Sequence, residues 1–361
     1  MRTAGILTTA AVAALVVGAA LFWGEIGAAL LGAVFHERAG VDTTADLPDG
    51  LHVALCGTGA PLPDPGRAGA CTVVIAGKHI FVVDSGEGAA KHIALMGIPN
   101  GRIEGVFLTH FHSDHIDGLG PMMLLRWTGA GATKPLPIYG GVGVERIVAG
   151  FDAAYATDNG YRTEHHGTKI APPSGAGGKA VSFTPPVRGS LGAVEVYRGG
   201  GLRVTAFSVE HGPVEPAVGY RFDYKGRSAV ISGDTAASAA LVANAKGADL
   251  LVHEGLQPAL VKRMTAALVA RHQPGTAQIT RDILTYHTSP EVAAQEAQAA
   301  GVKHLLFTHI LPPVPSRIAY PAFLGSARKF YDGPITVGED GMLFSLPAGS
   351  RTIDFARLPV N

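Results

Sequence analysis

A short apolar strand runs directly into three imidazoles and one carboxylate in the stretch Val106-Phe107-Leu108-Thr109-His110-Phe111-His112-Ser113-Asp114-His115. In an extended segment, residues two apart project to the same side, so His110 and His112 can grip one metal ion. Asp114 and His115 follow after the chain bends, and they can face a second ion nearby. Imidazole and carboxylate are the ligands that zinc takes where no thiol is offered. The stretch therefore predicts a metal centre at the end of a buried strand.

Three further residues of ligand type stand just past the ends of other predicted strands: His211, Asp234 and His309. Open α/β folds gather their functional sites at the carboxyl ends of strands. Taken singly, each of the three is more often an ordinary loop residue. Taken together with residues 110–115, they supply one further imidazole for each ion and a carboxylate that can bridge the two ions.

The body of the chain, residues 41–361, is predicted to form one layered α/β domain, because apolar strands alternate with helical segments. The segment 129–200 is rich in Gly and Pro and holds one predicted helix, 143–155. Only 22 residues separate His211 from Asp234, and two predicted strands, 217–224 and 229–232, use almost all of them. The segment 129–200 and an amphipathic helix over 258–271 are expected to line the substrate pocket.

The composition excludes several classes of protein. The 361 residues are 47% hydrophobic and 16% charged, which excludes a disordered, strongly charged chain. Lys and Arg number 29, as do Asp and Glu, so no global field attracts nucleic acid. Two cysteines exclude a disulfide scaffold and a four-cysteine zinc site. The sequence does not decide whether Cys56 and Cys71 form a disulfide bond or are two buried free thiols.

The N-terminal segment Ile6–Trp23 is almost wholly apolar. At 1.5 Å per residue a helix of this length spans about 27 Å, close to the thickness of a bilayer core. Residues 1–40 are therefore predicted to be a signal anchor or transmembrane segment with a linker. Arg2 favours an N-terminus on the inside, which places the catalytic domain on the extracytoplasmic (periplasmic) side. A cleaved signal peptide and a buried core helix are the alternatives.

The set His110-x-His112-x-Asp114-His115, followed by His211, Asp234 and His309, resembles the metallo-β-lactamase superfamily over about residues 50–347. The finer resemblance is to the branch of ribonuclease Z and its arylsulfatase-like relatives. It is carried by Gly57-Thr58-Gly59, Val83-Asp84-Ser85-Gly86, Ser232-Gly233-Asp234-Thr235, Val252-His253-Glu254 and His287-Thr288-Ser289-Pro290-Glu291. The closing Val337-Gly338-Glu339-Asp340 resembles the arylsulfatase-like members. The resemblance implies a four-layer αββα sandwich with the site at one edge of two packed sheets.

The resemblance also implies the role of each site residue. One Zn²⁺ would be held by His110, His112 and His211, and a second by Asp114, His115 and His309. Asp234 would bridge the two ions together with a water, and Asp84 would orient a ligand from behind. His287 would bind the anionic group of the substrate or protonate the leaving group, with Glu254 as its proton partner. Together with the metal ligand Asp114, these two residues form the predicted catalytic set. The alternatives are that His287 only flanks a helix cap and that Glu254 is a structural acid.

The expected reaction is hydrolysis by a metal-bridging hydroxide, since two Zn²⁺ ions leave the site with a net charge of about +1 for an anionic transition state. The expected substrate is a small ester: an aryl sulfate, a phosphodiester, or a carboxylic ester or lactone. Ribonuclease Z-type enzymes hold tRNA with an arm between the positions of His211 and Asp234, and this chain has no room for one there. No run of Lys and Arg offers a backbone-binding surface either. No nucleic-acid partner is therefore expected.

Two other functions stay open, a ribonuclease Z-like tRNA 3′-processing endonuclease and a non-catalytic metal-binding membrane protein. A homodimer is also left open, because dimers are common among the proteins that this chain resembles.

Overall fold

The structure of the protein is a computed structural model that describes residues 22–360. Its contacts divide the chain into two units, Met1–Asp42 and Thr43–Asn361. In the first unit, the described part is a helix, Trp23–Arg38, with no buried residue. The signal anchor predicted over Ile6–Trp23 lies almost entirely outside the described residues. Within residues 22–360, no helix combines the length and the apolar character needed to cross a membrane.

The strands of the described chain alternate with helices as the sequence predicts. In chain order they are β1 (Gly50–Gly57), β2 (Cys71–Ala76), β3 (His79–Val83), β4 (Ile103–Phe107), β5 (Leu136–Gly140), β6 (Gly178–Ser182), β7 (Val194–Gly199), β8 (Leu202–Ser208), β9 (Val218–Tyr224), β10 (Arg227–Ile231), β11 (Leu250–Leu256), β12 (Leu305–Leu311), β13 (Ile335–Val337), β14 (Met342–Pro347) and β15 (Asp354–Arg357). One sheet has the order β15-β14-β1-β2-β3-β4-β5-β6, and the other has the order β13-β12-β11-β10-β9-β8-β7.

The α-helices in chain order are α1 (Trp23–Arg38), α2 (Ala89–Leu95), α3 (Ser113–Ile116), α4 (Leu119–Ala130), α5 (Val144–His166), α6 (Ala239–Asn244), α7 (Pro258–Ala270), α8 (Pro274–Asp282), α9 (Pro290–Ala300) and α10 (Tyr320–Leu324). Helix α9 shows why the chain becomes helical where it does. The Ser289 side chain caps it by accepting a hydrogen bond from the Val292 amide, Pro290 fits its first turn, and Gly301 ends it in the left-handed conformation.

Three apolar clusters define the layers of the second unit. The middle cluster lies between the two sheets and joins side chains from both, with Phe107 near its centre. The Phe107 ring stacks on Tyr139 at 4.5 Å and meets Phe81, Tyr220 and Phe222 at 5.4–5.7 Å. Each of the other two clusters packs the outer face of one sheet against helices, α2, α4 and α5 on one side and α6, α9 and α10 on the other. The unit is thus an α/β sandwich of two sheets between helical layers.

Two local features bear on the site. Strands β9 and β10 form an antiparallel hairpin that fills the segment between His211 and Asp234, as the sequence predicts. Cys56 and Cys71, which the sequence left open between two states, form a disulfide bond between β1 and β2 with their Cα atoms 5.1 Å apart.

Helix α5 runs eleven residues beyond its predicted end at residue 155.

Candidate metal centre

The residues of the 110–115 turn and three distant residues meet at one edge of the sandwich. The turn follows β4, whose carboxyl end lies beside that of β5. His211 follows β8, Asp234 follows β10, and His309 lies near the end of β12. The carboxyl ends of these strands lie at the same edge of the sandwich. Residues that follow different strands, and are far apart in sequence, are therefore close in space.

His309 owes its position to a bulge in β12. In the pairing of β11 with β12, Glu254 faces Thr308 and Gly255 faces Ile310, so His309 is an extra residue without a partner. Its φ of 47° lies in the left-handed region, which a residue with a Cβ rarely adopts. A bulge of this kind re-aims a side chain and is common beside functional sites.

The structure groups the ligand-type atoms into two sets. Within each set, the imidazole nitrogens and carboxylate oxygens lie within 4.8 Å of one another; the sets are His110, His112, His211 and Asp234, and Asp114, His115 and His309. In the first set, His110 Nε2 lies 2.9 Å from His112 Nδ1. In the second set, His309 Nε2 lies 3.1 Å from Asp114 Oδ2. These groupings are the ones that the resemblance implies.

Asp234 lies between the two sets. Its Oδ2 is 3.4 Å from Nε2 of both His115 and His309, and 3.9 Å from Nε2 of both His110 and His211. A carboxylate surrounded in this way can serve two cations at once. Although burial alone raises the pKa of Asp234, the surrounding imidazoles hold that pKa well below its usual value, so the side chain is an anion.

The donor atoms fit metal ions rather than a closed hydrogen-bond network. His115 Nε2 and Asp234 Oδ1 are buried and have no hydrogen-bond partner among the described residues. A buried polar atom without a partner costs about 1–3 kcal/mol, so such a cluster is expected to have ligands. Burial, reinforced by the neighbouring His115, lowers the pKa of His110 well below its usual value. The neutral imidazole that results is the form that binds metal.

The imidazoles are held in orientation from behind. Asp84, whose φ is 58°, accepts hydrogen bonds from the amide and hydroxyl of Thr109 at 2.8 Å each, and its Oδ2 lies 2.8 Å from His115 Nδ1. His211 Nδ1 lies 3.0 Å from the carbonyl oxygen of Tyr286. With one ring nitrogen engaged, the other nitrogen of each ring is directed to the centre.

His287 and Glu254 lie together beside the metal-ligand sets. Glu254 Oε1 is 2.8 Å from His287 Nδ1 and also accepts hydrogen bonds from the backbone amides of Thr235 and Thr288. Burial opposes a charge on His287, but the Glu254 carboxylate outweighs it and raises the pKa of His287. A ring nitrogen of His287 comes within 4.8 Å of ligand atoms of Asp234 and His309. The geometry thus places an imidazole of raised pKa at the edge of the centre.

A cavity of about 370 Å³ opens onto this cluster. Its polar lining comes from the site, and its apolar wall is formed by Leu62, Ile279, Ile283, Tyr286 and Leu311. Neither the segment 129–200 nor the helix over 258–271 lines it, so that prediction is wrong. Three of the five apolar wall residues instead belong to α8 and the turn after it. Only the Pro274 start signal of this short helix is visible in the sequence, and sequence reasoning therefore missed it.

The chain is similar to proteins of known class. Residues 79–310 match the family model described as a beta-lactamase superfamily domain. The chain therefore belongs to the metallo-β-lactamase superfamily and is a hydrolase of that class. A protein named ribonuclease Z from Mycobacterium avium (strain 104) is 35% identical over 292 residues, which cover 80% of this chain and 96% of that protein.

Two solved structures share the fold. Human tRNase Z, short form, superposes with a TM-score of 0.57 at 23% identity, covering 82% of this chain and 99% of that one. Zn²⁺-bound PqqB from Methylobacterium extorquens superposes with a TM-score of 0.51 at 16% identity, covering 81% of this chain and 99% of that one. At these identities the likeness concerns the two-sheet fold alone.

These similarities correct the predicted substrate class. The prediction of a hydrolase for small aryl sulfate, phosphodiester, carboxylic ester or lactone substrates is wrong, because relatives matched over most of their length are named ribonuclease Z. The exclusion of a nucleic-acid partner is wrong for the same reason. The absent arm between His211 and Asp234 misled the prediction, since one local segment does not decide the substrate of a whole chain. The arylsulfatase-like resemblance of residues 337–340 is likewise unsupported.

The predicted membrane-anchored or exported location, with a periplasmic catalytic domain, is contradicted as well. The relatives carry the name of an RNA-cleaving activity, and a domain held across a membrane would not meet such a substrate. The predicted membrane contact depended on the apolar character of Ile6–Trp23 alone. Apolar composition shows that a segment can enter a bilayer and carries no information about the reaction of the domain that follows it.

Proposed function

We propose that this chain is a metal-dependent endonuclease of ribonuclease Z type that hydrolyses an RNA phosphodiester bond in the 3′ processing of tRNA. The observation that carries the proposal is the position of Asp234 between two sets of metal-ligand atoms, with the His287–Glu254 pair at their edge. The names of the relatives from mycobacteria support the choice of RNA as the substrate.

The chain would bind two zinc ions, one in each set, with Asp234 shared. The donor set supports zinc, because it consists of imidazoles and carboxylates whose ligand atoms lie within 4.8 Å of one another in each set. The Zn²⁺-bound neighbour with the same fold supports the same choice. Ions held there would supply Lewis acidity to an anionic, phosphate-centred transition state.

The protein residues would do the remaining work. Asp84 and the Tyr286 carbonyl keep the His115 and His211 rings in orientation, so the ligand nitrogens need no reorganisation during the reaction. Glu254 raises the pKa of His287, and His287 in its protonated form would donate a proton to the leaving oxygen. The apolar wall of the cavity would limit the access of water to the scissile phosphate.

The test uses the full chain loaded with zinc and a transcribed precursor tRNA that carries a 3′ trailer. We expect cleavage at a single site and about two zinc ions per chain by elemental analysis. His112→Ala should reduce cleavage at least about 100-fold, because it removes a ligand of one ion. His165→Ala, which changes an exposed histidine on α5, is the matched control and should cleave normally. Failure of the zinc-loaded wild-type chain to cleave the precursor would overturn the proposal.

A further inference from the structure

The α7–α8 hairpin, residues 258–282, carries a local excess of positive charge. It holds four basic residues, Lys262, Arg263, Arg271 and Arg281, against a single acid, Asp282. All four are exposed, and in the described chain no carboxylate lies within ion-pair distance of any of them. The whole chain has equal numbers of basic and acidic residues, so a charge of +3 over 25 residues is a local feature.

The inner side of the same hairpin forms part of the metal-centre cavity. Val261, Ala277 and Thr280 are buried beneath it, and the hydroxyls of Thr265 and Thr280 join the two helices at 2.8 Å. Ile279 and Thr280 line the cavity itself. The basic surface and the cavity wall therefore belong to one packed element, so a polymer lying on the first is brought to the second.

A neighbouring cavity that the hairpin does not line has mostly acidic charged residues. A second cavity of about 450 Å³ adjoins the first, sharing Pro61, Leu62, Ser113 and Asp114 with it, and acids dominate its charged lining: Asp64, Glu87, Asp114 and Asp117. Arg67 also lines it: its Nε lies 3.5 Å from Asp64 Oδ2, so it compensates that carboxylate, and its guanidinium donates to Thr58 and to the carbonyl of Gly338. Glu87 and Asp117 are exposed and have no cation within ion-pair distance among residues 22–360, so they would disfavour a polyanion there.

We propose that the α7–α8 hairpin is the docking surface for the sugar-phosphate backbone of the RNA, outside the nucleotides that enter the cavity. The proposal rests on the proposed function and names the surface that recognises its substrate. The charge asymmetry across the cavity mouth fixes the direction of approach: the body of the RNA lies over the hairpin and away from the acidic cavity. It also explains how a chain with no protruding arm between β8 and β10 would hold a large substrate.

The test is equilibrium binding of a fluorescent precursor tRNA to the full chain at several salt concentrations, which requires no cleavage. One variant neutralises the hairpin with four substitutions: Lys262→Gln, Arg263→Gln, Arg271→Gln and Arg281→Gln. The matched control removes the same charge from four exposed lysines elsewhere: Lys134→Gln, Lys169→Gln, Lys246→Gln and Lys329→Gln. If each hairpin residue neutralises one phosphate, the negative slope of log affinity against log salt should become shallower by about 3 in the first variant only.

A third variant, with Lys262→Arg and the three arginines changed to Lys, keeps the charge and should bind as the wild type does. Cleavage assays separate the two proposals. If the wild-type chain binds and cleaves the precursor but the neutral hairpin variant does so equally well, the docking surface is wrong and the proposed function stands. If the wild-type chain never cleaves, the proposed function fails, while the salt slopes still decide whether the hairpin binds RNA. Equal losses in the hairpin and control variants would also overturn the docking surface.

Discussion

Replacing Glu296 should reveal a charged pair buried beneath the metal centre. His253 on β11 is fully buried, with Nδ1 2.7 Å from the carbonyl oxygen of Glu254 and Nε2 3.0 Å from Glu296 Oε2. Both neighbours are acceptors, so both ring nitrogens must donate, and the ring is an imidazolium. Burial alone would lower the pKa of His253, but the hydrogen bond to Glu296 outweighs it and raises that pKa.

The expected cost of Glu296→Ala follows from these contacts. Removing one partner of a buried ion pair costs about 3–5 kcal/mol, because the other charge is left without compensation. Glu296 Oε1 also accepts a hydrogen bond from the Ser238 amide at 2.6 Å, which would lose its partner as well. Glu296→Gln differs in kind. A neutral His253 can still donate through Nδ1 and accept the glutamine amide at Nε2, so we expect a loss below about 1.5 kcal/mol.

The assay is urea denaturation of the three proteins between pH 5 and 9. Because the folded pKa of His253 is raised, the stability from the pair is fully present below the unfolded pKa of about 6.5 and declines as the pH rises through the folded pKa. Glu296→Gln should lack this decline. Glu164→Ala, at an exposed position of α5, should change the free energy of unfolding by at most about 0.5 kcal/mol. Equal stability of the Ala and Gln variants at Glu296 would refute the charged pair.

Three further predictions test the site, an ion pair and the core. Glu254→Gln should lower kcat on precursor tRNA at least about 100-fold with little change in KM, because His287 loses the anion that keeps it protonated; an unchanged kcat would exclude the pair from proton transfer. Asp249→Ala should cost about 3–5 kcal/mol, since it leaves Arg227 buried without its carboxylate. Hydrogen bonds from Lys303 and Arg227 outweigh burial and lower the pKa of Asp249. In the wild type, the stability that the ion pair contributes should therefore be lost only as the pH falls below about 4. Urea midpoints between pH 2 and 7 would show this loss. Phe107→Ala should cost about 3–5 kcal/mol without changing the urea m-value, and a loss below 1 kcal/mol would mean that the core collapses around the gap.

The grouping of the ligand-type residues was partly predictable, because four of them stand together in one short stretch of sequence. Residues 110–115 combine rare ligand types at a strand end, and His211 and Asp234 follow strands that their own β-branched residues announce. Position within a strand was harder to foresee. His309 was expected after its strand, whereas it lies inside β12 and turns inward through a bulge that no residue type signals.

The substrate class and the cavity wall were not predictable in the same way. Ile279, Ile283 and Tyr286 reach the cavity because α8 folds back on α7, a tertiary contact that leaves little mark on sequence periodicity. The exclusion of RNA rested on a missing arm, on the lack of a contiguous basic run and on the predicted extracytoplasmic position of the catalytic domain. The four basic residues of the hairpin are spaced over 20 positions and two helices, so they make no contiguous basic run in the sequence.

The bulge at His309 has a consequence for how this protein can change over generations. Since β12 holds one residue more than β11 over the paired length, loss of the codon for residue 309 would let Thr308 and Ile310 join an uninterrupted ladder. Ile310 would keep its pairing with Gly255, and the centre would lose the His309 imidazole. One in-frame deletion thus separates an enzyme from an inert scaffold of the same shape, without any need to unfold the domain.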